Sequence, residues 1–154
     1  MDRMDEMGME AQTRVGDVSL ASRTSEDACP YLFLSHHPSV MRSLAPDVWI
    51  KEYPLTVLGT NHGRTVTVIR LASGKLVIHS MAPFSQADIE EIRQLGEPAW
   101  LVEAMLLHDT YAAEGRRSFP ELPFLGPPGF PAVVKFETGP LLPSPEEWAG
   151  QLEV

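Results

Sequence analysis

The chain has 154 residues, of which 44% are apolar, and a formal net charge of -9. This length and composition suit one domain with a hydrophobic core, and the acidic balance argues against binding to nucleic acid or to an anionic membrane. The single cysteine, Cys29, excludes an internal disulfide and a cysteine-based zinc cluster, and no apolar run approaches the ~20 residues of a membrane span. Because the acidic N-terminus lacks the features of a secretory or transit peptide, we expect a cytoplasmic protein.

Residues 1–30 differ in composition from the rest of the chain. They hold seven acidic residues, three basic residues and no aromatic residue. Such a segment buries too little apolar surface to offset the entropy of ordering it, so we predict a disordered acidic tail. Residues 31–46 are predicted to be a linker. Its His36-His37 pair is expected in a solvated loop, because neighbouring residues of a strand face opposite sides.

The ordered domain is predicted to begin near Asp47 with an antiparallel meander. The segment VWIKEYPLTVLG is typical of a strand, and Pro54 within it indicates an edge or a bulge. RTVTVIRL and LVIHS alternate as strands do, and Gly74 supplies the tight turn between them.

The hydrophobic period then changes from strand to helix. A helix is predicted over PFSQADIEEIRQLG, where Ser85 and Asp88 indicate a capping box and Gly96 a stop. A buried strand is expected from about Ala99 to Ala104, so that strand, helix and strand form a parallel βαβ crossover.

A second helix is predicted from about Asp109 to Ser118, followed by a short strand around Leu122–Leu125 between Pro and Gly residues. The expected fold is therefore α/β, with an antiparallel meander followed by βαβ units.

Three residues at the ends of the predicted parallel strands are candidate metal ligands. His108 and Asp109 follow the buried strand, and α/β folds place their chemistry at such strand ends. The competing interpretation is structural, because aspartate is also a good helix N-cap and His108 would then lie beside the helix start. His79 ends the preceding strand and is the third candidate, with a hydrogen-bonded strand-end histidine as the alternative.

The motifs TVIRL, GKLVIHS, LG, LVEAM, LHD and FP occur in this order between Thr67 and Pro120. With the segments around them, they resemble the metallo-β-lactamase-like proteins of domain-of-unknown-function family 4336, over residues 47–154. This resemblance implies half of an αββα sandwich. In active hydrolases of that fold, an H-x-H-x-D-H motif and later His and Asp residues bind two metals that share an attacking hydroxide.

The chain departs from this pattern in its ligand residues. It lacks H-x-H-x-D-H, it has His108-Asp109 where the family has paired histidines, and it has Met105 where the family has asparagine. No histidine follows His108. The resemblance therefore predicts a degenerate, non-catalytic domain that is truncated at its C-terminus. The expected cofactor is either none or a single divalent metal, namely zinc, iron or manganese.

Three functions stay open at this point. The first is the degenerate domain, whose incomplete sandwich a homodimer or another protein partner would cover. The second is a metal-dependent hydrolase with a reduced site at His108 and Asp109, with His79 near. The third is a protein-interaction module that uses the acidic tail and the Pro-rich segment FLGPPGFP.

Overall fold

The computed structural model describes residues 40–153, and the structural statements that follow concern this part of the chain. The predicted acidic tail, Cys29 and the His36-His37 pair lie outside the described residues. The strands are β1 (Arg42–Ala45), β2 (Val48–Tyr53), β3 (Thr56–Val57), β4 (Thr60–Asn61), β5 (Arg64–Arg70), β6 (Lys75–His79), β7 (Glu97–Val102), β8 (Phe124–Gly126) and β9 (Gly139–Pro140). The helices are α1 (Gln86–Leu95), α2 (Ala112–Ser118) and α3 (Phe130–Val134), and a short 3-10 turn spans Glu146–Trp148.

Seven of these strands form one sheet in the order β1-β2-β5-β6-β7-β8-β9, and β3 and β4 form a separate hairpin. The strands from β1 to β6 in this sheet pair antiparallel, whereas β6, β7, β8 and β9 pair parallel. The three parallel connections contain α1, α2 and α3 in turn. The predicted α/β class, an antiparallel meander followed by βαβ units, is confirmed.

The sheet carries apolar side chains on both faces, and the helices pack on one of them. Val66, Val68 and Ile78 lie on this helix-bearing face, in one core with Ile92 of α1 and Phe130 of α3. The opposite face has its own core, formed by Leu71, Val77, Trp100, Val102, Leu125, Leu141 and Trp148. One sheet with helices on a single face agrees with the predicted partial αββα sandwich.

Helix α1 begins at the predicted capping box. The Ser85 side chain accepts a hydrogen bond from the backbone N–H of Asp88, and the Asp88 carboxylate accepts one from the Ser85 N–H. The Asp88 and Glu91 carboxylates also bind the ammonium of Lys51 on β2, at 2.6 and 2.7 Å. These ion pairs are partly buried, so they fix the helix against the sheet.

Helix α1 ends at the predicted glycine, Gly96, for a reason of packing. A Cβ atom at this position would clash with the carbonyl oxygen of Gly74 and touch the side chain of Leu76. The close approach of the helix end to the β5–β6 turn therefore requires glycine. Gly74 itself has a φ of 85°, in the left-handed region that the tight turn needs.

Several boundaries differ from the sequence prediction. The segment VWIKEYPLTVLG divides at Pro54 into β2 and β3, and β8 begins two residues after the predicted Leu122. β1 lies within residues 31–46, which the sequence placed in a linker, because β2 supplies the hydrogen-bonding partner for a segment without a clear strand pattern of its own. β7 begins and ends two residues before the predicted strand, since Glu97 and Pro98 pair with β6.

Helix α2 begins three residues after the predicted start, and Asp109 is not its N-cap. The N-cap position is occupied by Tyr111, which makes no side-chain capping hydrogen bond. The backbone carbonyl of Asp109 accepts the N–H of Ala112 at 3.0 Å, so Asp109 forms a turn that precedes the helix. The capping role predicted for the Asp109 side chain is therefore wrong.

The Pro-rich segment FLGPPGFP is part of the folded domain. It forms β8 and the turn into α3, and its Phe124 and Phe130 side chains are buried. It is therefore not presented as an extended ligand for an aromatic groove. No helix within residues 40–153 is long and apolar enough to cross a membrane.

Candidate functional site

A cluster of polar side chains lies at the C-terminal ends of the parallel strands β6 and β7. Arg64 begins β5, and because β5 runs antiparallel to β6, the start of β5 lies beside the end of β6. This end of the sheet is called the edge below. Glu103 directly follows β7. Strand alternation places Arg64 on the face of Val66, and Glu103 on the face of Leu101, so both point toward the helix-bearing side.

Arg64 and Glu103 form a buried ion pair at this edge. The Arg64 Nη2 atom lies 2.5 Å from Glu103 Oε1, and both side chains are buried, Glu103 completely. Arg64 also donates to the carbonyl oxygens of Met81, from Nε at 3.1 Å, and of His108, from Nη2 at 3.3 Å. The Met81 backbone N–H donates to the same Glu103 Oε1 atom at 2.7 Å. The pair thus joins β5, the end of β6 and the loop after β7.

The second carboxylate oxygen of Glu103 faces the imidazole of His108. Glu103 Oε2 and His108 Nδ1 are 3.7 Å apart, and both atoms are buried without a hydrogen-bond partner in the described part of the chain. The rest of the His108 side chain reaches solvent, since about 37% of it is exposed. The two groups therefore share one buried contact, with the open side of the imidazole turned to the surface.

Burial dominates the protonation chemistry of this cluster. It raises the pKa of Glu103 to about 7, although the hydrogen bond from Met81 and the charge of Arg64 act in the opposite direction. Burial, and then the positive charge of Arg64, lower the pKa of His108. Burial also lowers the pKa of His79, followed by the effects of His108 and Arg64. The site therefore favours a neutral imidazole at both histidines and holds a carboxyl that binds a proton near neutral pH.

The three predicted metal ligands do not share one face of the sheet. His79 lies on the face of Val77, opposite to Glu103, because residues two apart in a strand share a face. Asp109 is exposed in the turn before α2, and it acts on the cluster through its negative charge, which raises the pKa of Glu103. Only His108 lies against the buried carboxylate. Within residues 40–153, no group of three or more His, Cys, Asp or Glu side chains has the arrangement of a metal site.

Sequence reasoning missed the two residues at the centre of this cluster. Glu103 had a visible signal, since it is the only charged residue in the apolar run AWLVEAMLL, and a charge in a buried strand needs a partner. Arg64 had no such signal in the sequence, because it lies 39 residues from Glu103 and only the strand order brings the two side chains together.

No protein-family model matches the chain, and no curated protein matches it in sequence. Among solved structures, the chain is similar to a metallo-β-lactamase from Pontibacter korlensis, with a TM-score of 0.49 and 13% identity over 65% of this chain and 50% of that chain. It is also similar to the metallo-β-lactamase FIM-1 from Pseudomonas aeruginosa in its mono-zinc form, with a TM-score of 0.48 and 8% identity over 64% of this chain and 46% of that chain. The chain spans about half the length of these two proteins. Membership of family 4336 stays a prediction.

Proposed function

We propose that this chain is a degenerate, non-catalytic domain of the metallo-β-lactamase-like family that its motifs resemble. The observation that carries the proposal is the buried ion pair of Arg64 and Glu103. A permanently charged guanidinium lies at the strand edge where such hydrolases bind their metals, and it engages the one buried carboxylate there. The Arg64 guanidinium thus links the strand ends to the following loop.

The side chains at this edge do not fit a closed or catalytic metal site. Such sites use three or four protein ligands around the metal. Here Glu103 and His108 face each other, Asp109 is exposed, and His79 lies on the other face of the sheet. A divalent cation between Glu103 and His108 would also lie beside the Arg64 guanidinium and be repelled by it.

The metal content of the purified full chain tests this proposal. After incubation with zinc, iron or manganese salts and dialysis, we expect a clearly substoichiometric content by inductively coupled plasma mass spectrometry. An equimolar metal that is retained through dialysis, and that is lost when Glu103 or His108 is replaced, would contradict the proposal.

The second candidate is a metal-dependent hydrolase with a reduced site, which the sequence places at His108 and Asp109 with His79 near. One observation favours it, and it adds Glu103 to His108. Glu103 Oε2 and His108 Nδ1 are two potential ligand atoms that face each other without a hydrogen-bond partner in residues 40–153. This candidate predicts that Glu103→Gln and His108→Ala each abolish metal binding. The matched control is His62→Ala, because the His62 side chain is exposed.

The proposed degenerate domain would act through contact with a protein partner or a second copy of itself. Support comes from the loop after Glu103, where Met105, Leu106 and Leu107 are consecutive apolar side chains with 51%, 42% and 83% of their surface exposed. Light scattering coupled to size-exclusion chromatography tests this part: a dimer that Leu107→Ser converts to a monomer supports self-association. The absence of nucleic-acid binding is part of the proposal and rests on the net charge of -9. A cytoplasmic location also stays part of the proposal.

A further inference from the structure

A cavity lies on the sheet face opposite to the helices and to the Arg64–Glu103 pair. Its volume is about 320 Å³. Its lining includes Ile69, Val77, His79, Val102, Ala104 and Trp148. The floor is therefore the apolar surface of β5, β6 and β7, and one wall is the segment that contains Trp148.

The volume of the cavity limits what it can hold. Ligand sites in proteins are typically about 300–1,000 Å³, so this cavity is at the lower end of that range. An apolar cavity of roughly 150 Å³ is large enough to bind benzene. A ligand of one ring with a short substituent therefore matches the space.

The polar side chain of His79 borders this mostly apolar space. The His79 imidazole ends β6 and can both donate and accept a hydrogen bond. The ring of Trp148 lines the cavity, but its Nε1–H is buried and does not reach the space. The cavity thus combines apolar walls with one hydrogen-bonding side chain, and sparse polar groups in an apolar space are typical of small-molecule sites.

The charge around the cavity disfavours an anionic ligand. Glu153 is exposed at the rim, and the whole chain carries a formal net charge of -9. We propose that this cavity binds an uncharged molecule of about one ring that carries a hydroxyl or carbonyl group, with His79 as its hydrogen-bonding partner. The site lies on the other face of the sheet from Glu103, so it does not depend on whether the domain is catalytic.

Benzyl alcohol is the probe for this proposal, and the full chain is titrated with it. The three tryptophans each give one indole N–H signal in a nitrogen-15 correlation spectrum, and Trp148→Phe identifies the Trp148 signal. We expect the Trp148 signal to shift in a saturable way, with one ligand bound per chain. The Trp49 signal should change little, because Trp49 does not line the cavity. Toluene, which lacks the hydroxyl group, and benzoate, which is anionic, are both expected to bind more weakly.

Substitutions at the cavity separate specific binding from general partitioning. His79→Leu is expected to weaken the binding of benzyl alcohol roughly three- to tenfold, which is the usual contribution of one hydrogen bond, and to leave toluene unchanged. His79→Gln, which keeps a donor and an acceptor, is expected to restore most of the affinity.

A second variant fills the cavity instead of removing its polar group. Ala104→Phe is expected to abolish binding, and the fold should persist because Ala104 is exposed, two residues after β7 ends. Ala113→Phe, at an exposed position of α2, is the matched control and should bind normally. A non-saturable shift, equal shifts of all three tryptophans, or unchanged binding in both His79→Leu and Ala104→Phe would overturn the proposal.

Discussion

Replacement of Glu103 by glutamine tests the buried ion pair most directly. Glu103→Gln keeps the shape of the side chain but leaves the Arg64 guanidinium buried without its counter-charge. An arginine does not lose its proton in a protein, so the guanidinium stays charged and unpaired in this variant at every pH. Arg64→Met should cost less, because the remaining Glu103 carboxyl can neutralise itself by binding a proton.

The pH dependence of the free energy of unfolding gives a second test of Glu103. The pKa of Glu103 is about 7 in the folded chain against 4.5 for a free glutamate, so its stabilising effect is complete below about pH 4.5 and is lost as the pH rises through about 7. At about 1.4 kcal/mol per pKa unit, this loss amounts to about 3 kcal/mol. His79 and His108 change stability in the opposite direction, because their pKa values are lowered. The wild type must therefore be compared with Glu103→Gln.

Urea unfolding monitored by circular dichroism, from pH 5 to pH 8, measures both effects. We expect the unfolding free energy of wild type to fall relative to that of Glu103→Gln by about 3 kcal/mol between pH 5 and pH 8. The double replacement Arg64→Met with Glu103→Met should be less destabilised than Glu103→Gln, since no charge is left unpaired. A pH-independent difference, or a double variant that is the least stable of the set, would refute the reasoning.

Three further predictions concern helix α1 and the residues at its two ends. Ser85→Ala removes the capping side chain of α1 and should lower the free energy of unfolding by about 1 kcal/mol in urea titrations, with an unchanged m-value. Burial alone would raise the pKa of Asp88, but hydrogen bonds from Lys51 and Ser85 outweigh burial and lower the pKa. Asp88 therefore stabilises the fold near neutral pH, and this stabilisation is lost as the pH falls below about 4. In acid titrations, Asp88→Asn should lose less stability over this pH range than wild type. Gly96→Ala should cost about 1–3 kcal/mol in thermal unfolding because its Cβ meets backbone, whereas exposed Leu107→Ser should change stability by less than about 0.5 kcal/mol.

Local sequence patterns predicted which segments are strands and which are helices, and tertiary contacts stabilise the same elements. Alternation in RTVTVIRL predicted β5, and the capping box at Ser85 predicted the start of α1. The boundaries were less certain, because backbone pairing and turns decide them. Asp109 has the chemistry of a cap, yet the turn that it forms with Ala112 moves the helix start to a later residue.

The sequence by itself determined the α/β class and the meander followed by βαβ units, because these depend on residues within a few positions of each other. The tertiary structure alone decided the site. Arg64 and Glu103 meet because antiparallel and parallel strands bring distant residues to one edge, and His79 is separated from Glu103 because their strands present them on opposite faces. Which strands are neighbours, and which face points to the helices, depends on the packing of the whole sheet rather than on any local pattern.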